Sequence, residues 1–240
     1  MITFLFSTIV RQETFGISSF LIPDENERLI FPSSQTLFSN VIQFEITYKS
    51  AFLTFPIFEN LSYSFYFDTI YGIGIAYKFE NFSIGFNGFK LDTQFLFNFG
   101  NYLNYNNFES KFSVSYENNK NFDLRSFLKI LFFEQYSSRF YLEYRNNLNV
   151  VIGIFYEPSK YRFLSFGLSK IDNNYFSFSS VEVLIFRDFL TIRGSVYENL
   201  QNNKLFLNYG FSISYENLRS DFIVNDSVFK LGIYYKFNIF

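Results

Sequence analysis

The side chains in this sequence that could do chemistry are lysines, arginines and glutamates set at alternate positions between apolar residues. Lys78, Lys111, Glu117, Arg139, Glu143, Arg145 and Arg193 all fit that spacing. Arg139, Glu143 and Arg145 form the densest row, in RFYLEYR. Both signs are present, so the set can satisfy itself through ion pairs and hydrogen bonds in a polar interior. Because Lys and Arg predominate, it can also form a lining that favours anionic solutes.

Other chemistry is excluded by composition. The chain has no His, which removes the usual base of a serine nucleophile, the commonest zinc ligand and the neutral-pH switch. It has no Cys, so disulfides, thiolate metal sites and thiol catalysis are absent. No carboxylate pair stands apart from the solvated turns. The expectation is a protein that is not an enzyme and holds no cofactor or metal. A net charge of −2 without a basic run gives no footprint for nucleic acid.

The elements that position these residues are strands. Successive side chains of a strand point to opposite faces, so charged and apolar residues that alternate belong to sheets with one wet face and one oily face. LFLNYGFSISYE (residues 205–216) shows the clearest alternation, and VFKLGIYYKF near the end sets Lys230 and Lys236 against Phe229, Leu231, Ile233 and Tyr235. The chain has 39 Phe and 19 Tyr, 24% aromatic, far more than a soluble core needs. Mean hydropathy is only +0.04, and no run approaches the ~18 apolar residues of a spanning helix. A chain of this kind enters a bilayer only as a sheet closed on itself. The expected fold is therefore all-β, a closed antiparallel transmembrane β-barrel of about 14 strands, with roughly 12 to 16 allowed. A soluble sandwich or propeller would leave dozens of aromatic rings in water.

Three regions follow along the chain. Residues 1–10, MITFLFSTIV, are an apolar run with three open readings: the tail of a signal peptide that starts upstream, an N-terminal arm, or a leader of unusual form. Residues 11–40 lack alternation and carry Pro23, Pro32 and the acidic Asp24, Glu25 and Glu27. Residues 41–240 are strands and tight turns. The stretch from Ala51 to Phe58, interrupted by Pro56, reads as a strand continuation, an edge feature or a short helix.

Residues 11–40 also carry a resemblance. Arg11, then FGISS with Gly16, then Asp24-Glu25-Asn26, then FPSS with Pro32 and Leu37 follow the order found at the start of FadL-type and PorV-type barrels. Phe31 stands where that family has Asn, and Ser33 where it has Ala. The Gly-alternating hairpin YGIGIAYKFENFSIGFNGFK is similar to an early PorV hairpin, and the aromatic last strand resembles those that finish bacterial outer-membrane barrels. The resemblance implies a barrel of the bacterial outer membrane, surrounded by outer-membrane lipid. Its C-terminal strand would be read by the barrel-assembly machinery. Residues 11–40 would form a hatch plugging the lumen, with Arg11, Gly16, Asp24 and Pro32 as its candidates; an ordinary periplasmic tail is the bland reading. It further implies passive transport of small, hydrophobic molecules, or docking to a partner protein of a secretion or envelope complex without transport. Glycines on inner faces, at Gly72, Gly74, Gly85, Gly210 and Gly232, are expected to leave space for a passage.

Overall fold

The computed structural model describes residues 16–22, 31–37, 41–45, 50–58, 60–67, 70–91, 94–117, 121–159, 162–186, 189–216, 218–225 and 228–236, and the structural statements below concern these. The alternating segments form sixteen strands. In chain order they are β1 (Val41–Glu45), β2 (Ser50–Phe58), β3 (Leu61–Phe67), β4 (Ile70–Phe79), β5 (Phe82–Leu91), β6 (Gln94–Tyr105), β7 (Phe108–Glu117) and β8 (Asn121–Phe133). They continue as β9 (Tyr136–Tyr144), β10 (Leu148–Ser159), β11 (Arg162–Ile171), β12 (Asn174–Phe186), β13 (Leu190–Asn199), β14 (Lys204–Tyr215), β15 (Leu218–Asn225) and β16 (Val228–Lys236). Each strand pairs antiparallel with its chain neighbours. β1 also pairs with β16, Ile42 opposite Tyr235 and Phe44 opposite Ile233, and this closes the ring.

The count lies at the top of the expected range because the repeat is shorter than the assumed one. Consecutive strands are separated by only two to four residues. Turns this tight need left-handed backbone, and Glu80, Asn106, Asp172, Asn203 and Glu216 all have positive φ at strand connections. The stretch around Pro56 is strand β2, with the register shifting between Pro56 and Phe58; a bulge is where a residue without an N–H is tolerated in a sheet.

The outer face is apolar. Ile73, Phe99, Ile154, Phe166, Leu168 and Leu207 each expose half or more of their surface. Aromatic rings stand near both ends of the same strands: Tyr71 and Phe79 on β4, Phe95 and Tyr105 on β6, Tyr136 and Tyr144 on β9. A band of aliphatic and aromatic groups flanked by such girdles suits lipid and would aggregate in water.

The inner face is buried and of mixed character. It carries serines, asparagines, paired charges and a second set of aromatic rings. Two short 3-10 helices, Gly16–Leu21 and Pro32–Leu37, lie against it. The first contacts β9 to β13 and the second β3 to β6.

Candidate functional site

The second 3-10 helix sits on a wall of small residues. On β3 to β6 the lumen side presents Ser62, Ser64, Gly74, Ala76, Ser83, Gly85, Asn87, Asn98 and Gly100. Pro32, Ser33 and Ser34 are buried there, and the Ser83 hydroxyl donates to the Ser33 carbonyl at 3.1 Å. A Cβ at Gly85 would overlap the Pro32 carbonyl group and the Ser33 nitrogen, and one at Gly100 would lie 3.0 Å from the Pro32 ring. Two of the inner glycines expected to leave open space are therefore filled, Gly85 by the Pro32 backbone and Gly72 by the Phe89 ring.

The first 3-10 helix sits on a different wall. Ile17, Leu21 and Ile22 pack with Phe127, Tyr141, Val151, Phe155, Phe163 and Phe178 in one buried cluster. Phe20 stacks on Tyr141 with ring centroids 5.0 Å apart. Gly153 makes room for Leu21, whose Cδ1 would lie 2.8 Å from a Cβ there. Arg139 closes the seat. Its Nη1 donates to the Leu21 carbonyl at 3.0 Å, its guanidinium lies 4.0 Å over the Phe155 ring, and Nη2 bonds the Glu157 carboxylate.

The ion pairs among the described residues form three groups. Toward the end holding the β9–β10 connection, Arg125 reaches Glu143 at 2.8 Å, Asp123 at 2.9 Å and the Ser115 hydroxyl at 2.7 Å. Arg145 joins this group through Glu117 at 3.2 Å and Asp123 at 3.3 Å. Toward the opposite end, Lys111 pairs with Glu109 at 2.9 Å, and Lys129 with Glu157 at 3.3 Å beside Arg139. On β12 to β15, Arg193 reaches Glu182 at 2.6 Å and Asp221 at 3.0 Å, and Arg219 reaches Asp221 at 2.9 Å. Buried pairs at these distances share charge through hydrogen bonds as well as by proximity.

Six of the predicted lining residues are thus brought into lumen clusters: Lys111, Glu117, Arg139, Glu143, Arg145 and Arg193. The predicted row of Arg139, Glu143 and Arg145 is divided between two of them. Lys78 is apart. It is exposed at the end of β4, in an open cleft with Asn60, Glu80 and Asn81. Among the hatch candidates, Pro32 lies in the lumen and Gly16 begins the first 3-10 helix, whereas Arg11 and Asp24 lie outside the described residues, as do 1–10. The clusters join seven basic groups (Lys111, Arg125, Lys129, Arg139, Arg145, Arg193, Arg219) to seven carboxylates (Glu109, Glu117, Asp123, Glu143, Glu157, Glu182, Asp221). Among the described residues, each of these seven basic groups is thus joined to at least one carboxylate.

Sequence reasoning missed the inner aromatics. A signal was present: Phe163, Ser165, Gly167 and Ser169 share one face of β11, and that face is buried. Around Phe155 the signal is weaker, because Ile154 and Phe155 are both apolar and face opposite ways.

No family model matches the chain, and no curated protein matches it. Solved structures that match include porins. One is KdgM porin in complex with disordered oligogalacturonate, 11% identical, covering 82% of this chain and 99% of its own, with a TM-score of 0.37. KdgM porin alone gives 10% identity, the same coverage and the same TM-score. The finer resemblance to FadL-type or PorV-type barrels gains no support from these matches.

Proposed function

We propose that this protein is a channel of the bacterial outer membrane that carries small molecules passively, and whose passage is occupied by its own N-terminal segment. The observation that carries the reading is the seating of that segment inside the ring, Leu21 under Arg139 and Pro32 against Gly85. A sixteen-stranded wall is wide enough to enclose an aqueous passage, so a filled lumen needs an occupant. An apolar outer band with girdles at both ends supports the membrane location. In this reading residues 11–40 are a hatch and lipid surrounds residues 41–240. The barrel-assembly machinery recognises the C-terminal strand, and the protein is not an enzyme. A hydrophobic solute would have to use the seat that Ile17, Leu21 and Ile22 now fill.

The test is single-channel conductance of the refolded full-length chain beside a version lacking residues 1–40. Conductance that rises when the segment is removed is the expected result. Silence from both folded barrels, together with no flux of uncharged solutes through them in liposomes, would sink the channel reading. A second reading, docking to a partner protein of a secretion or envelope complex, is favoured by the very short connections and the paired lumen charges. That silence, together with a stable complex recovered from envelope extracts, is what it requires.

A further inference from the structure

The wall beneath the second 3-10 helix has a chemistry of its own. Two register rows cross it from β3 to β7, each made of residues that are partners across neighbouring strands. The hydrogen-bonding groups of one are Ser64, Asn87, Asn98 and Ser115, and of the other Ser62 and Ser113; only glycine and alanine stand between them. Neither row holds a charge. Where the rows run on into β8 they meet Asp123 and Arg125, which are paired with each other at 2.9 Å.

Ser113 adds an independent pointer. It is fully buried, and its hydroxyl has no hydrogen-bond partner among the described residues. It lies opposite Gly100, which is in contact with Pro32, so this hydroxyl is on the ground the hatch covers. A buried hydroxyl without a partner is costly, and a guest carrying donors and acceptors would relieve it.

We infer that the passage uncovered beneath the second 3-10 helix takes small, uncharged, hydrogen-bonding solutes of the polyol class and discriminates against ions of both signs. The inference rests on the channel reading above. An ion leaving water needs a compensating charge, and the clusters offer none: their seven basic and seven acidic groups are joined to one another. A polyol, by contrast, exchanges its hydration for hydroxyls and amides of similar strength.

The chain contains no Cys, so an introduced disulfide is the sole one. The double variant Ser33→Cys, Ser83→Cys places thiols on two residues already in contact and should lock the hatch when oxidised. In liposomes the reduced protein is expected to pass glycerol or erythritol about tenfold faster than a monoanion or monocation of equal size. The oxidised protein should pass none of them. Adding Asn87→Asp puts a carboxylate into the neutral row and should raise cation flux over anion flux by about tenfold. Ion flux equal to polyol flux, or selectivity unmoved by Asn87→Asp, would overturn the inference while leaving a channel. No flux of any solute, from either this reduced protein or the version lacking residues 1–40, would overturn the channel reading and this inference together.

Discussion

The two walls that receive the N-terminal segment hold it by different physics. On β3 to β6 the side chains are small, and the segment approaches backbone first, with Pro32 set against Gly85 and Gly100. On β9 to β13 the side chains are aromatic, and the segment is held by what it inserts, with Leu21 completely buried among rings and its carbonyl bonded to Arg139. Burying one such aliphatic side chain is worth about 1.5–3 kcal/mol, whereas close approach to glycine contributes fit rather than much apolar area. By that measure the aromatic wall contributes more to seating the first helix than the small-residue wall contributes to seating the second.

The largest test of that contrast uses a site in neither seat. Glu182→Ala removes one of the two carboxylates on the buried Arg193 guanidinium, leaving Asp221 and the Ser212 hydroxyl, and should cost about 3–5 kcal/mol, read as a lower midpoint for loss of the folded band in a heat-modifiability series. Protection of residues 16–37 from protease in the molecules still folded should not change. If protection falls in parallel, the seats are not independent of the third ionic group.

Next is the seat of the first helix. Leu21→Ala should weaken seating by about 2–5 kcal/mol, measured as faster proteolysis of the N-terminal segment with the barrel intact. Arg139→Met removes the donor to the Leu21 carbonyl and should act in the same direction by about 1–3 kcal/mol. Unaltered cleavage in both variants would mean that the aromatic wall does not hold the segment.

Gly85→Val should lift only the second 3-10 helix, because the atoms its Cβ would strike belong to Pro32 and Ser33. Cleavage within 31–37 should appear while Leu21 stays protected; simultaneous release of both would merge the two walls into one seat. The smallest expected effect is at Lys78→Gln. An exposed side chain at the rim should change stability by less than about 0.5 kcal/mol and leave protection of both helices as it was.

Much of the wall was legible in the residues, because an alternating pattern dictates which face each side chain takes. Glu117, Glu143 and Arg193 could be placed inside from neighbouring residues alone. Their partners could not, since pairing depends on register: Arg125 meets Glu143 because β8 and β9 set those two opposite. The number of strands reached the top of the expected range for a local reason, the two- to four-residue connections. The aromatic interior was hidden where both faces of a strand are apolar, as at Ile154 and Phe155, since period-2 contrast then vanishes. Glycine was misread on physical grounds as well. A missing side chain signals close approach, and only the fold shows that at Gly85 the approaching group is the chain's own Pro32.

The brevity of the connections carries a consequence for how the molecule meets its surroundings. A protease, a phage fibre or an antibody that reads extended polypeptide needs a length of chain that can be drawn away from its neighbours, and strands joined by two to four residues leave little such length between them. The connections between the strands should thus be nearly blank to such readers.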